Sequence, residues 1–309
     1  MSKIIVTGAT SMIGAAVVRE ALAQDRDVVA VVRKNSSNFG NIAELKDSSK
    51  LEIVECDIQD YGKLDAGSKC DAFLHLAWEK TDAASRDDVY AQTNNIYYTL
   101  DAVGAAERAG CSVFVNTGSQ AEYGRTGEKL RGDTACNPES GYGIAKYAAG
   151  KLGYLAASQA GIRYCHTRIL STYGEGMDGN TLIAYLIKSF LKNESPILTK
   201  CEQLWDFMYV QDTARALLAI VEKGKDGKAY PIGIGKAKEL CEYVEKIRDI
   251  VNPSINLAFG TKEYYPHQPM YLCADISQLQ ADTGFEPIVS FEAGIKKTVD
   301  WFKTQMEDN

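Results

Sequence analysis

Over its first half the chain alternates short apolar runs with longer stretches of helical periodicity, and few arrangements accept that rhythm. The runs 3–6, 27–32, 51–54, 72–76, 112–116 and 164–170 consist largely of Val, Ile, Leu, Phe and Ala. They are apolar nearly throughout rather than at every second residue, as strands covered on both faces must be. Between them, segments such as 13–23 and 90–109 carry apolar residues at helical spacing, with Ile96, Leu100 and Val103 in the second. Strand, helix, strand repeated in this way predicts an α/β fold: a doubly wound parallel sheet with helices on both faces. Beyond about Gly174 the rhythm changes. A helix is expected over 181–192, another over 210–222 and a short strand at 230–232, and the rest reads as mixed helix and strand. The chain therefore divides into residues 1–174, joined by 210–240, and a smaller mixed α/β C-terminal lobe over 175–309.

The first strand runs into Val6-Thr7-Gly8-Ala9-Thr10-Ser11-Met12-Ile13-Gly14, a glycine-bearing turn that opens a helix. In that setting Gly8 makes the tight turn and Gly14 lets the helix lie close to the strand. The helix N-terminus then offers free N–H groups and a positive dipole end to a pyrophosphate. Gly8, Thr10, Ser11, Met12, Ile13 and Gly14 are thus the candidate dinucleotide cradle. Here the chain resembles the extended short-chain dehydrogenase/reductases, the NAD-dependent epimerase/dehydratase family, whose fingerprint is TGxxGxxG on a Rossmann-type sheet. Ser11 stands at the fingerprint's middle glycine, which requires its φ to stay negative. An acidic residue closing the second strand would bind the ribose 2′-hydroxyl of NAD. This chain has Val31-Val32-Arg33-Lys34 instead. Two cations there suit the 2′-phosphate of NADP, so NADP(H) is expected ahead of NAD(H). A solvated surface pair is the other reading of Arg33 and Lys34. Asp57-Ile58 resembles the family's adenine-contacting pair, and His75-Leu76-Ala77 its segment beside the cofactor, with His75 itself structural.

The segment Pro138-Glu139-Ser140-Gly141-Tyr142-Gly143-Ile144-Ala145-Lys146 contains YxxxK. With 17 tyrosines the pattern arises about once by chance, and it recurs at Tyr147 and Lys151. Context selects the first. Positions i and i+4 share a helix face, so the Lys146 ammonium is expected beside the Tyr142 phenol. A neighbouring cation favours phenolate and would lower a pKa near 10 toward neutrality. The phenol then exchanges a proton with a substrate C–OH or C=O. Tyr147, five residues on, lies about 140° around the helix and faces elsewhere.

The resemblance implies more. Lys146 would also hold the nicotinamide ribose. Ser119, in Asn116-Thr117-Gly118-Ser119-Gln120-Ala121-Glu122-Tyr123-Gly124, would anchor the reacting oxygen, with Thr117 the alternative if the register slips. Asn95, in Asn95-Ile96-Tyr97-Tyr98-Thr99, matches the family's NxxxT asparagine, structural or supporting the site on its substrate side. The family's 4,6-dehydratases place Asp-Glu after their catalytic threonine; Gln120-Ala121 follow Ser119 here, which speaks against that reaction.

The likeness continues through Arg168-Ile169-Leu170-Ser171-Thr172-Tyr173-Gly174 (RxxNxYGP in the family) and Trp205-Asp206-Phe207-Met208-Tyr209-Val210-Gln211-Asp212 (RDFxxVxD). It extends over Ile232-Gly233-Ile234-Gly235 and, near the C-terminus, Asp275-Ile276-Ser277 with Gly284-Phe285-Glu286-Pro287. The nearest kinds are nucleoside-diphosphate-sugar epimerases and 4-ketosugar reductases. Ser171 and Trp205 fall at the substrate-binding positions but replace, respectively, an asparagine and a diphosphate-clamping arginine; Glu175 replaces the proline after YG. Either another cation serves the diphosphate, or the substrate carries less phosphate. Trp205 would stack on a ring of the substrate or pack in the core.

The net charge of −7 argues against nucleic acid or an anionic membrane as partner through bulk charge. The eight cysteines, Cys56, Cys70, Cys111, Cys136, Cys165, Cys201, Cys241 and Cys273, form no CxxC. With His75, His166 and His267 the only histidines, no metal site is expected. Reduced thiols, no signal-peptide layout and no bilayer-length apolar run predict a cytoplasmic protein without a membrane partner. The resemblance adds a homodimer joined through helices 90–109 and 142–158. Three functions compete. The first is an NAD(P)-dependent epimerase or ketosugar reductase acting on a nucleotide sugar, C4 foremost. The second is an NADPH-dependent reductase of a non-nucleotide carbonyl compound, and the third a non-catalytic NADP-binding sensor or scaffold.

Overall fold

The computed structural model describes residues 3–82, 84–177, 179–265 and 268–307; His267 falls outside them. The elements in chain order are β1 (Lys3–Thr7), α1 (Met12–Ala23), β2 (Asp27–Val32), β3 (Leu51–Glu55), β4 (Ala72–His75), α2 (Val89–Arg108), β5 (Val113–Ser119), α3 (Gly141–Gln159), β6 (Arg163–Ile169) and β7 (Ser171–Tyr173). There follow α4 (Leu182–Leu191), β8 (Leu204–Trp205), β9 (Phe207–Tyr209), α5 (Val210–Lys223), β10 (Ala229–Ile232), β11 (Lys238–Glu239), α6 (Leu240–Val251), β12 (Tyr271–Leu272), α7 (Ser277–Thr283) and α8 (Phe291–Glu307).

Seven parallel strands form the central sheet in the order β10-β6-β5-β4-β1-β2-β3. The chain winds outward in one direction from β1 and in the other from β4, so the order reverses between those two strands. Such a switch point opens a crevice at the carboxyl ends of the strands. The sheet is covered on both sides, as its apolar strands predict. Ile4, Val6, Val28 and Ala30 join one core cluster, while Ile5, Val29 and Val31 join the other. That split follows from the two-residue period of a strand. α1 packs against α5 on one face and α2 against α3 on the other. After β7 the chain leaves the sheet, then re-enters it at β10, which pairs with β6. The pairs β7-β9 and the small sheet β11-β8-β12 stand beside the crevice.

Each strand expected in the first half is present, β2 with the expected ends and the others with ends shifted by one residue or more. The largest shift is at β5, which runs to Ser119 rather than residue 116. Thr117, Gly118 and Ser119 continue the ladder opposite Thr167, Arg168 and Ile169 of β6. Pairing with a neighbour extends the strand where side-chain polarity would end it. Strands β7, β8, β9, β11 and β12 are two or three residues long, too short to show a period. Among the described residues no helix is long and apolar enough to cross a membrane, and no cluster of three or more His, Cys, Asp and Glu side chains is placed to hold a metal.

The glycine turn requires its glycines. Gly8 has φ +65°, and a Cβ there would lie 2.9 Å from the backbone nitrogen of Ala77 after β4. A Cβ on Gly14 would collide with the carbonyl oxygen of Gly8, because α1 begins directly against β1. Gly14→Val should therefore push α1 off the sheet. The expected cost is about 1–3 kcal/mol of stability, read by denaturant unfolding.

Candidate active site

Tyr142 and Lys146 lie in the first turns of α3, whose N-cap Ser140 accepts from the Gly143 N–H at 3.1 Å. They border one continuous cavity of about 1260 Å³. Ser11, Met12, Ile13 and Leu76 line it from the glycine turn, Ser119 from the end of β5, and Ser171 and Trp205 from the far side. The predicted cofactor end, reaction end and substrate end thus share one space.

Lys146 is buried, with 4% of its surface exposed. Its ammonium donates to the Thr117 carbonyl oxygen at 2.8 Å and sits 3.7 Å from the centroid of the Trp78 ring. Burial pushes its pKa down to about 7, against the opposite pull of the Glu122 carboxylate. The carbonyl oxygen and the indole face help it keep its proton without a carboxylate partner. Trp78 is fixed in turn by its indole N–H, which donates to Gln92 Oε1 at 3.0 Å, and it meets the Tyr142 ring edge-on at 6.0 Å.

This arrangement corrects one sequence expectation. The Tyr142 phenol is held above its ordinary value, not drawn toward neutrality. Removal from bulk water outweighs the Ser119 hydroxyl and the Arg86 guanidinium, which favour phenolate. The lysine ammonium lies 5.8 Å from the Tyr142 ring centroid and leans on Trp78 instead. The closer cation is Arg86, 5.2 Å from the same ring.

Ser119 caps the short turn Gln120–Glu122: its Oγ accepts from the Ala121 N–H at 3.2 Å, and Glu122 Oε1 accepts from the Ser119 N–H at 2.9 Å. Burial raises the Glu122 carboxyl, but His166 and Arg168, both within 2.9 Å, outweigh it and hold the group below its usual range. Glu122 is therefore a structural anion beneath Ser119. The alternative Thr117 spends its hydroxyl on the His75 carbonyl oxygen at 2.8 Å. His75 is buried between Thr7 and Thr99, and burial lowers its pKa to about 3, so its ring is neutral.

Ser11 meets its condition: φ is −69°, and its side chain caps α1 by accepting from the Gly14 N–H at 3.1 Å. Gly8, Thr10 and Gly14 form the turn behind the cavity, with Thr10 Oγ1 3.0 Å from Ser36 Oγ. Arg33 is exposed and reaches Ser37 Oγ at 3.4 Å; the Lys34 backbone N–H donates to Asp57 Oδ1 at 3.2 Å. Ile58 is buried and Ala77 backs onto Thr7. Asn95 does not line the cavity. Among the described residues its side chain bonds backbone groups of Glu79 and Ala91, tying α2 to the loop after β4. Tyr147 also stays outside the cavity lining, with Lys151 over its ring. The departures Ser171 and Trp205 face each other, the indole N–H donating to Ser171 Oγ at 2.7 Å. Glu175 accepts from the Tyr209 hydroxyl at 2.7 Å. Sequence reasoning missed Trp78, Arg86, Asn38, Tyr185, Gln203 and Lys262, all lining residues that belong to no spacing pattern.

Residues 4–233 match the NAD dependent epimerase/dehydratase family. The chain belongs to that family. A dTDP-glucose 4,6-dehydratase of Shigella flexneri is 28% identical over 97% of this chain and 92% of its own length. The family fold is shared with a UDP-N-acetylglucosamine 4-epimerase from Methanobrevibacter ruminantium M1 (TM-score 0.88, 26% identity, 99% of both chains). It is shared too with a UDP-glucuronic acid 4-epimerase from Bacillus cereus in complex with UDP-glucuronic acid and NAD (TM-score 0.85, 24% identity, 98% of this chain and 99% of that one).

Lys146 links the site to stability. An unfolded lysine keeps its proton to about pH 10.4; in the folded protein Lys146 keeps it only to about 7. Between those values the unfolded chain binds more protons, so this group makes stability rise with pH. Lys146→Met should raise Tm by several degrees near neutrality and flatten that rise, measured as the difference between wild-type and variant melts over the same pH span.

Proposed function

We propose that the protein is an NAD(P)-dependent enzyme that transfers hydride at a carbon, C4 foremost, of a nucleotide-activated sugar, with Tyr142 as proton donor and acceptor. The single cavity joining the glycine turn to Ser119, Tyr142, Lys146 and Trp205 carries this reading. The sheet layer, residues 1–174 with 210–240, holds the dinucleotide, and residues 175–309 hold most of the substrate.

The turn fits a dinucleotide: Gly8 and Gly14 leave no side chain between strand, helix and the β4 end, and Ser11 keeps an extended φ. When bound, the nicotinamide supplies the hydride donor or acceptor. Ser11, Met12, Ile13 and Leu76, which line the cavity, would hold the dinucleotide, and Lys146 would hold the nicotinamide ribose. Ser119 orients the reacting oxygen, and Tyr142, protonated because burial raises its pKa, gives its proton to that oxygen. Water elimination is disfavoured: Gln120-Ala121 follow Ser119, where the resemblance leads a 4,6-dehydratase to carry Asp-Glu.

Arg33 and Lys34 at the end of β2 are exposed and speak for NADP(H), but the solved relatives hold NAD, which favours NAD(H) over the NADP(H) expected from the sequence. An epimerase that retains its NAD is one reading and a reductase that exchanges it the other. Mass spectrometry of the purified protein separates them: retained NAD is the expected result for the first and none for the second, and an NADP affinity exceeding that for NAD and falling in Arg33→Ala would restore NADP(H). Tyr142→Phe should lower turnover by about 10³-fold while leaving dinucleotide and nucleotide-sugar Kd within about twofold, measured on a nucleotide-sugar panel by NADPH absorbance and product mass.

A homodimer joined through α2 and α3 completes the proposal. Val89, Tyr90 and Tyr97 on α2 and Ile144, Leu152 and Leu155 on α3 are exposed, an apolar surface of the kind that marks an interface. Light scattering should give twice the 33.8 kDa chain mass, and Tyr97→Glu with Leu155→Glu should halve it.

A further inference from the structure

Gln203 lines the cavity with only 4% of its surface exposed, and its side-chain oxygen Oε1 is buried with no hydrogen-bond partner. Its backbone is fixed: the carbonyl oxygen accepts from the Leu240 N–H at 2.8 Å, where α6 begins. Trp205 stands two residues further along the same extended segment, so both side chains project to the same side, while Leu204 between them is exposed. Phe207 and Leu240 add apolar wall nearby. The Trp205 indole N–H is already given to Ser171 Oγ, so it is not available to Gln203. Buried carbonyl oxygens without partners are rare in folded proteins, and one on a residue that lines a ligand cavity points to a partner supplied when a ligand enters and the side chain turns to meet it.

We propose that Gln203 is a specificity-determining residue whose side-chain carbonyl accepts a hydrogen bond from an O–H or N–H group of the substrate. The inference rests on the reading that a nucleotide-activated sugar occupies this cavity. Chemistry narrows the donor. A diphosphate at neutral pH carries no proton to give, so it leaves this oxygen unpaired. A sugar or ribose hydroxyl, or the N–H of a base, satisfies it. A neutral amide also holds such a donor without placing a second charge in an apolar wall. A ligand lacking the donor buries the carbonyl unpaired, which is how polar sites discriminate most strongly.

The test compares wild type, Gln203→Met and Gln203→Asn, each saturated with NADP, by calorimetric titration with UDP, UDP-glucose and dTDP-glucose. Methionine removes the acceptor at similar length; asparagine withdraws it by one methylene. We expect both variants to weaken binding about tenfold with dinucleotide affinity unchanged. We also expect the Tm of unliganded Gln203→Met to be no lower than wild type, because an orphan polar atom has been removed. Equal losses for UDP and UDP-glucose assign the donor to the nucleoside; a loss confined to the sugar nucleotides assigns it to a sugar hydroxyl. Unchanged affinity in both variants, with or without a lowered Tm, overturns this inference alone. Failure of wild type to bind any of the three overturns it together with the proposed function.

Discussion

A lysine ammonium withdrawn from water, resting on an indole face and a backbone carbonyl oxygen, is the contact on which the site turns. Burying a charge without a carboxylate partner is costly. The fold sustains it because each support is itself fixed. The carbonyl belongs to Thr117, inside a strand ladder; the indole is pinned by Gln92; the helix carrying Lys146 is capped by Ser140. Loosening any of these would release the ammonium toward solvent. Glu122 beneath the same strand end makes its direct contacts to Arg168 and His166 and reaches the lysine only as a field across space, favouring its charged form.

The parallel sheet and its double cover were legible because they follow from local pattern. Apolar runs without alternation admit one architecture, and the glycine turn fixes where its crevice begins. Tyr142 and Lys146 were legible because helical spacing alone puts them on one face. What spacing does not carry is the competition between burial and charge. Whether Lys146 lowers the phenol pKa depends on where its ammonium comes to rest, and that depends on Trp78, a residue far away in sequence and marked by no pattern. Asn95 failed as a substrate contact for a similar reason: a buried amide satisfied by three backbone partners has nothing left for a ligand.

The replacements at positions 171, 175 and 205 were visible singly, and the structure shows how they are accommodated. Ser171 and Trp205 bond each other, while Glu175 takes the Tyr209 hydroxyl. Where the family has a guanidinium and an amide, this chain has a closed hydroxyl–indole contact. The indole N–H is thereby spent on Ser171, whose own O–H remains able to donate.

The cavity wall also sets a field. Arg86, Lys146 and Lys262 border it, and no acidic side chain does so among the described residues, although the chain as a whole carries a charge of −7. An anion approaching from solution is repelled by the outer surface and attracted only near the mouth, where low-dielectric walls focus the positive potential. Encounter rates for such a ligand then depend on ionic strength in two opposed ways. Modest salt screens the distant repulsion first, and higher salt erodes the local attraction within a Debye length of the entrance.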